Sequence, residues 1–105
     1  MFTVVWLVKK HPDLSQEAFT RYWIEDHTPL TAATPGMRAY RCYPMVSHDG
    51  DAPLFDAIAF ATFDDEDAWR IAEQSPEFKA AVADAVNFQD TGKTQGFNAQ
   101  EFIIR

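Results

Sequence analysis

The chain has 105 residues, of which 47% are hydrophobic and 14% aromatic, and its formal net charge is −7. This length and composition are typical of one globular domain that buries about 60–70% of its unfolded surface. Because the negative charge repels phosphate backbones and anionic lipids, neither nucleic acid nor a membrane is an expected partner.

The single cysteine and the N-terminal segment indicate the cellular location of the protein and the metal or cofactor sites that it can form. Cys42 is the only cysteine, which excludes an internal disulfide and a thiolate metal site. The apolar segment Phe2–Val8 precedes Lys9 and Lys10, the reverse of the order in a signal peptide. No apolar run approaches the roughly 20 residues of a transmembrane helix. We therefore expect a cytoplasmic protein without metal or cofactor.

The first half of the chain predicts a strand, a helix and a second strand. Phe2–Val8 is rich in β-branched and aromatic residues, as strands are. Ser15 is a good N-cap for a helix over residues 16–33. One face of this helix carries Phe19, Trp23, His27 and Leu30. Pro35 and Gly36 end the helix, and the aromatic residues in 37–46 predict the second strand.

The second half predicts a strand, a split helix and a last strand. Residues 54–63 are apolar and follow a short polar turn, which indicates an antiparallel hairpin. Helical segments follow over residues 64–72 and from Ser75, and residues 97–104 form the last strand. The order β-α-β-β-α-β predicts one α+β domain over residues 1–105, with a ferredoxin-like antiparallel sheet of four strands and its helices on one face.

Both faces of the predicted sheet are apolar. In the first strand Val4 and Trp6 point to one side while Val5 and Leu7 point to the other. Helices on one face leave the second face uncovered, and a soluble monomer rarely exposes so large an apolar patch. We therefore expect a homodimer whose sheets pack face to face into a barrel, with either an interior cavity for a small ligand or a solidly filled interface.

Two residues are candidates for acid–base chemistry. His27 lies on the apolar face of its helix, where a neutral imidazole suits a general acid or base; a histidine bonded to a strand carbonyl is the alternative. Tyr40 lies on the second strand, and its phenol could donate a proton or polarise a carbonyl. Plain packing of the ring is the alternative.

Other residues are candidates for binding a ligand. Arg38 shares the face of Tyr40 and could hold a carboxylate or enolate, or else extend to solvent. Trp6, Trp23 and Phe60 could line a cavity or serve as plain core. Cys42 has no neighbour in sequence that would lower its pKa, so a buried inert thiol is expected.

Several segments together resemble the EthD family. They are residues 8–19, the pair Tyr22-Trp23, the run from His27 to Leu30, the run from Pro35 to Tyr40, residues 56–59 and the spacing of Asp84 and Phe88. The resemblance covers nearly the whole chain and implies a ferredoxin-like fold assembled as a dimeric α+β barrel. It also implies kinship with muconolactone-type isomerases, with polyketide cyclases and dehydratases, and with cofactor-independent or haem-dependent oxygenases.

The resemblance further implies that His27 and Tyr40 face the pocket, as the matching residues do in isomerase and dehydratase relatives. Phe60 departs from the polar or acidic residue that relatives often carry on the third strand. We expect an enzyme of lyase, isomerase or dehydratase type that acts on a carbonyl-containing or aromatic metabolite through His27 and Tyr40. The alternatives are a non-catalytic barrel that binds a hydrophobic metabolite in a degradative pathway, and a haem-binding oxygenase with His27 as axial ligand.

Overall fold

The computed structural model describes residues 1–105 as a four-stranded sheet with its helices on one side. The strands are β1 (Phe2–Val8), β2 (Ala39–Pro44), β3 (Ala57–Phe63) and β4 (Gln95–Gln100). The helices are α1 (Gln16–Tyr22), a π-helical turn (Trp23–His27), α2 (Thr28–Ala32), α3 (Glu66–Glu73), α4 (Pro76–Asp84) and a 3-10 turn (Ala85–Asn87). None of the helices is long and apolar enough to cross a membrane.

The sheet has the order β2-β3-β1-β4, and every neighbouring pair is antiparallel. β3 therefore lies between β1 and β2, which the first helical segment connects. This is the split βαβ arrangement of the ferredoxin-like plan, so the predicted fold class is confirmed.

β1 has the predicted bounds, whereas the other three strands are shorter than the sequence pattern predicted. The third strand starts at Ala57, and the carboxylate of Asp56 just before it accepts a hydrogen bond from the Lys10 backbone N–H at 2.8 Å. The last strand ends at Gln100, which pairs with Phe2 at the start of β1. The apolar side chains of Phe102, Ile103 and Ile104, predicted to lie in this strand, follow it and are largely exposed.

The core lies between the sheet and the helices. One cluster comprises Val8, Phe19, Trp23, Ala57, Ala59 and Phe88, and the other comprises Val4, Ala61, Phe63, Trp69 and Ala72. The alanines of β3 are small enough to let aromatic rings from the helices approach the sheet. The ring of Phe88 is fully buried and stacks on those of Phe19 and Trp23.

The other face of the sheet, here called the outer face, carries no helix. Val5 and Leu7 of β1 pair with Phe60 and Ile58 of β3, and Val5 also pairs with Phe97 of β4. Along each strand these positions alternate with those that face the helices. Apolar side chains therefore lie on both sides of the sheet, as predicted, but the outer face also carries Thr3, Arg41 and Thr62, and Val5 is already buried there within one chain.

Candidate functional site

A cavity of about 240 Å³ lies between the sheet and the helices. Its lining comprises Trp6, Val8, Trp23, His27, Thr31, Tyr40, Ala59, Phe78, Ala81, Val82, Ala85, Gln89, Thr91 and Thr94. Val82 and Thr91 are exposed and mark its mouth. The sequence-based prediction placed a cavity between two packed sheets; in the structure, this cavity lies on the helix side of the sheet within a single chain.

The size and lining of the cavity restrict its ligand. An apolar cavity of about 150 Å³ is large enough for benzene, whereas drug-sized ligands occupy about 300–1,000 Å³. A volume of 240 Å³ therefore suits one substituted ring or a metabolite of similar size. His27 and Tyr40 are the only titratable residues in the lining, which contains no Asp, Glu, Lys or Arg. A neutral ligand fits this environment best.

The π-helical turn positions His27. In an α-helix, with about 3.6 residues per turn, residues five apart point in directions about 140° from each other. A π-helix bonds residue i to i+5 and brings them together. Here Tyr22 and His27 both reach Asp84 of α4, and the buried face continues at Thr31 rather than at the predicted Leu30. Single π turns inside helices occur frequently at functional sites.

His27 belongs to a hydrogen-bond network that leads from the cavity to α4. Its Nδ1 lies 2.9 Å from Asp84 Oδ2, and its Nε2 lies 3.1 Å from the Thr31 hydroxyl. Asp84 Oδ1 accepts hydrogen bonds from the Tyr22 hydroxyl at 2.7 Å and from the Asn87 amide at 2.9 Å. The imidazole also packs on the Phe88 ring, with 4.5 Å between centroids. The side chain of His27 is only 8% exposed.

The environment keeps His27 neutral and Asp84 ionised. Burial lowers the pKa of His27 below its ordinary value, and the hydrogen bond and charge of Asp84 oppose this only in part. Burial alone would raise the pKa of Asp84, but hydrogen bonds donated by Tyr22, His27 and Asn87 outweigh it and hold that pKa below its ordinary range. A neutral imidazole beside a carboxylate can act as a base at neutral pH.

These shifts predict that acid destabilises the protein below about pH 6.5. Between the lowered pKa of folded His27 and its value of about 6.5 in the unfolded chain, the unfolded chain binds more protons, so the free energy of unfolding falls as the pH falls. The lowered pKa of Asp84 acts in the same direction at still lower pH. Urea unfolding at about pH 7.5 and about pH 5.5 should show this loss, and it should shrink in His27→Gln but not in His48→Gln, where an exposed loop histidine is changed. An equal loss in both variants would contradict this origin.

Tyr40 faces the same cavity from β2. Burial raises the pKa of its phenol well above the ordinary value, so the hydroxyl stays protonated and can act only as a donor at neutral pH. Cys42 raises this pKa further, whereas polar contacts of the hydroxyl with Trp23 and Thr31 lower it in part. The hydroxyl thus lies among these three neighbours, and Trp23, Thr31 and Tyr40 all line the cavity.

The remaining predicted site residues divide into two groups. Trp6 and Trp23 line the cavity together with His27 and Tyr40. Arg38 instead extends to solvent and binds both carboxylate oxygens of Asp64, at 3.0 and 2.8 Å. Phe60 lies on the outer face, edge to face with Tyr43. Neither Arg38 nor Phe60 therefore lines this cavity, where the sequence had predicted that they contact a ligand.

Cys42 lies on the helix side of β2, packed against the core. Burial raises the pKa of its thiol, so the thiol stays protonated and is a poor nucleophile.

Periodicity and motifs did not identify Thr31 and Asp84 as members of the site. Thr31 follows His27 by four residues and so lies on the same side of the helix, but nothing in its residue type marks it as a partner of the imidazole. Asp84 is 57 residues from His27, so no local motif joins them. The only sequence signal for Asp84 was its spacing from Phe88 within the EthD resemblance.

The cavity does not suit haem, the cofactor that a haem-binding oxygenase with His27 as axial ligand would need. Its volume of about 240 Å³ is below the range for drug-sized ligands, and haem is larger than these. Both ring nitrogens of His27 are also engaged, by Asp84 and Thr31. The chain has no group of three or more His, Cys, Asp or Glu residues placed to hold a metal ion.

The fold and the cavity define the class: a ferredoxin-like α+β domain with a small, largely apolar pocket between its sheet and helices. The model of the EthD domain matches residues 11–92, and the chain belongs to the EthD family. A curated relative is 30% identical over 100 residues, which are 95% of this chain and 96% of the relative. It is an uncharacterized 11.0 kDa protein encoded between thcB and thcC in Rhodococcus erythropolis.

Solved structures share the fold. The crystal structure of an EthD family protein from Bacillus halodurans matches 97% of this chain and 100% of its own, with a TM-score of 0.81 and 22% identity. A dimeric ferredoxin-like protein from Thermobifida fusca matches 95% of this chain and 90% of its own, with a TM-score of 0.73 and 18% identity. SnoaB, a cofactor-independent oxygenase from Streptomyces nogalater, matches 99% and 97%, with a TM-score of 0.66 and 18% identity. At these identities the likeness concerns the fold alone.

Proposed function

We propose that this EthD family protein is a small-molecule enzyme of lyase, isomerase or dehydratase type that acts on a neutral, carbonyl-containing or aromatic metabolite. The observation that carries the proposal is the convergence of His27 and Tyr40 in one cavity of about 240 Å³. One is a neutral base and the other a protonated donor, because burial shifts the two pKa values in opposite directions.

The step common to these reaction types is removal of a proton from a carbon next to a carbonyl. The electron pair of the C–H bond moves into the carbonyl, and the proton passes to Nε2 of His27. The enolate oxygen that forms accepts a hydrogen bond from the Tyr40 hydroxyl, which belongs to the same cavity. Returning the proton to another carbon completes an isomerisation, whereas loss of a leaving group completes an elimination.

Deuterium exchange tests this proposal without knowledge of the natural substrate. The protein is incubated in D₂O with a panel of cyclic ketones and hydroxylated aromatic carbonyl compounds, and NMR follows deuterium entry beside the carbonyl. We expect catalysed exchange in at least one compound. Tyr40→Phe should slow it about 10²–10³-fold, the usual cost of one oxyanion donor, and circular dichroism should show that the variant is folded. Exchange at the same rate in Tyr40→Phe would remove the phenol from the mechanism.

Binding without turnover is the second candidate function, and the scarcity of titratable groups favours it. His27 and Tyr40 are the only two titratable residues in the lining. A panel member that binds with no deuterium entry above the uncatalysed rate would support this candidate over the enzyme.

The outer face supports assembly as a homodimer. It carries Val5, Leu7, Ile58, Phe60 and Phe97. A groove on this face holds one cation, Arg41, and one anion, Glu101, neither of which forms an ion pair within the chain. This groove is thus neutral on a chain of net charge −7. In a two-fold contact each patch meets its own copy, so a neutral apolar patch is self-complementary.

A cytoplasmic location stays a prediction of the sequence alone.

A further inference from the structure

The hydrogen bonds around Asp84 are divided unequally between its two oxygens. Oδ1 accepts from both Tyr22 and Asn87, whereas Oδ2 faces only the Nδ1 atom of His27, at 2.9 Å. An ionised carboxylate has no hydrogen to give, so a neutral His27 must carry its proton on Nδ1. Its Nε2 is then the basic nitrogen, and the group that contacts Nε2 is the Thr31 hydroxyl, at 3.1 Å.

We propose that Asp84 is a positioning residue that fixes His27 as the Nδ1–H tautomer, and that the Thr31 hydroxyl connects Nε2 to the cavity. Thr31 lines the cavity and lies near Tyr40, so the hydroxyl has His27 on one side and the ligand space on the other. A ligand proton can reach Nε2 through this hydroxyl: Thr31 gives its own proton to Nε2 and takes the ligand's proton in the same step. The O–H bond of the threonine breaks as a new O–H bond to the ligand's proton forms, so no net charge stays on the oxygen.

The hydrogen-bond network around Asp84 also reaches the protein surface. Asp84 is 15% exposed at its side chain, and Asn87 beside it is exposed. The titratable groups that contact His27 or share its cavity are Asp84 from α4 and Tyr40 from β2, and Tyr22 adjoins Asp84 from α1. The chain from Thr31 through His27 to Asp84 therefore links the buried cavity to the protein surface. The inference rests on the proposed function for its catalytic consequence but not for the tautomer itself.

Nitrogen-15 NMR of the imidazole tests the tautomer without a substrate. In the unaltered protein at neutral pH, we expect His27 to show a protonated Nδ1 and an unprotonated Nε2. In Asp84→Asn the amide oxygen should take the Oδ1 position, because Tyr22 and Asn87 both donate there. The amide NH₂ then faces Nδ1 and can only donate, so the His27 proton should move to Nε2 and the two resonances should exchange places.

Asn87→Ala is the matched control, since it removes a donor to Asp84 without touching His27. It should leave the tautomer unchanged. Two results would overturn the assignment: His27 of the unaltered protein protonated on Nε2, or His27 of the Asp84→Asn variant still protonated on Nδ1. The first result is measured on the unaltered protein and does not depend on the folding of a variant.

Two activity measurements separate this inference from the proposed function. If the protein catalyses exchange, Asp84→Asn should slow it by roughly 10³-fold or more, as expected for a histidine held in the wrong tautomer. Thr31→Val, which keeps the shape and loses the hydroxyl, should slow it as well, while Thr31→Ser should restore it. Undiminished exchange in Thr31→Val would refute the relay. If no exchange is found in any protein, the proposed function fails while the NMR result still decides the role of Asp84.

Discussion

Replacing His27 by glutamine is expected to slow catalysed proton exchange by about 10²–10⁴-fold, the usual contribution of a general base. Glutamine is neutral and of similar length, and its amide corresponds in reach to Nε2 rather than to Nδ1, the atom that faces Asp84. It cannot accept a proton near neutral pH. The variant therefore removes the proposed base, and initial rates of deuterium entry measure the effect.

His48→Gln makes the same substitution at an exposed loop position and should exchange at the unaltered rate. Because His27 is buried and packs on Phe88, His27→Gln should also lose about 1–3 kcal/mol of stability. Circular dichroism and a ligand-binding titration must therefore show that the variant is folded and keeps its cavity. A folded, ligand-binding His27→Gln with an unchanged exchange rate would eliminate His27 as the base.

The sequence predicted the fold and half of the site for identifiable physical reasons. Short runs of β-branched and aromatic residues in β1 and β3 and the caps at Ser15 and Ser75 are local signals, and both serine side chains accept the expected backbone N–H bonds. His27 and Tyr40 could be proposed because a polar residue on an otherwise apolar face is conspicuous. The structure places both at one cavity.

The rest depended on geometry that no local pattern encodes. The π turn that lets Tyr22 and His27 both reach Asp84 leaves no mark in the ideal helical period. Thr31, four residues after His27, carries no signal that distinguishes a site hydroxyl from an ordinary helical threonine. Asp84 meets His27 only through tertiary packing of α4 on the first helical segment. Arg38 was placed with Tyr40 by strand alternation, but it precedes β2 and pairs with Asp64 instead. Phe60 was assigned to a cavity wall because the sequence does not show which face of the sheet holds the cavity.

The second large effect concerns the dimer: Phe60→Lys is expected to convert a homodimer into a monomer. Arg41 lies directly opposite Phe60 in the pairing of β2 and β3, so the variant places two cations side by side on the outer face. By two-fold symmetry the interface would receive two such pairs. Leaving one buried charge unpaired costs about 3–5 kcal/mol, which corresponds to a dissociation constant at least 10²-fold larger. Size-exclusion chromatography with light scattering across a dilution series measures it.

Ile71→Lys is the matched control, because Ile71 is 72% exposed on α3, away from the sheet, and it should remain dimeric. A dimeric Phe60→Lys, or a monomeric unaltered protein, would refute the outer face as the interface.

The cavity lies on the opposite side of the sheet, and its lining residues come from one chain. A monomeric Phe60→Lys should therefore bind its ligand as tightly as the dimer does. Assembly and ligand binding thus occupy opposite faces of one sheet, and loss of both in this variant would mean that the sheet itself is distorted.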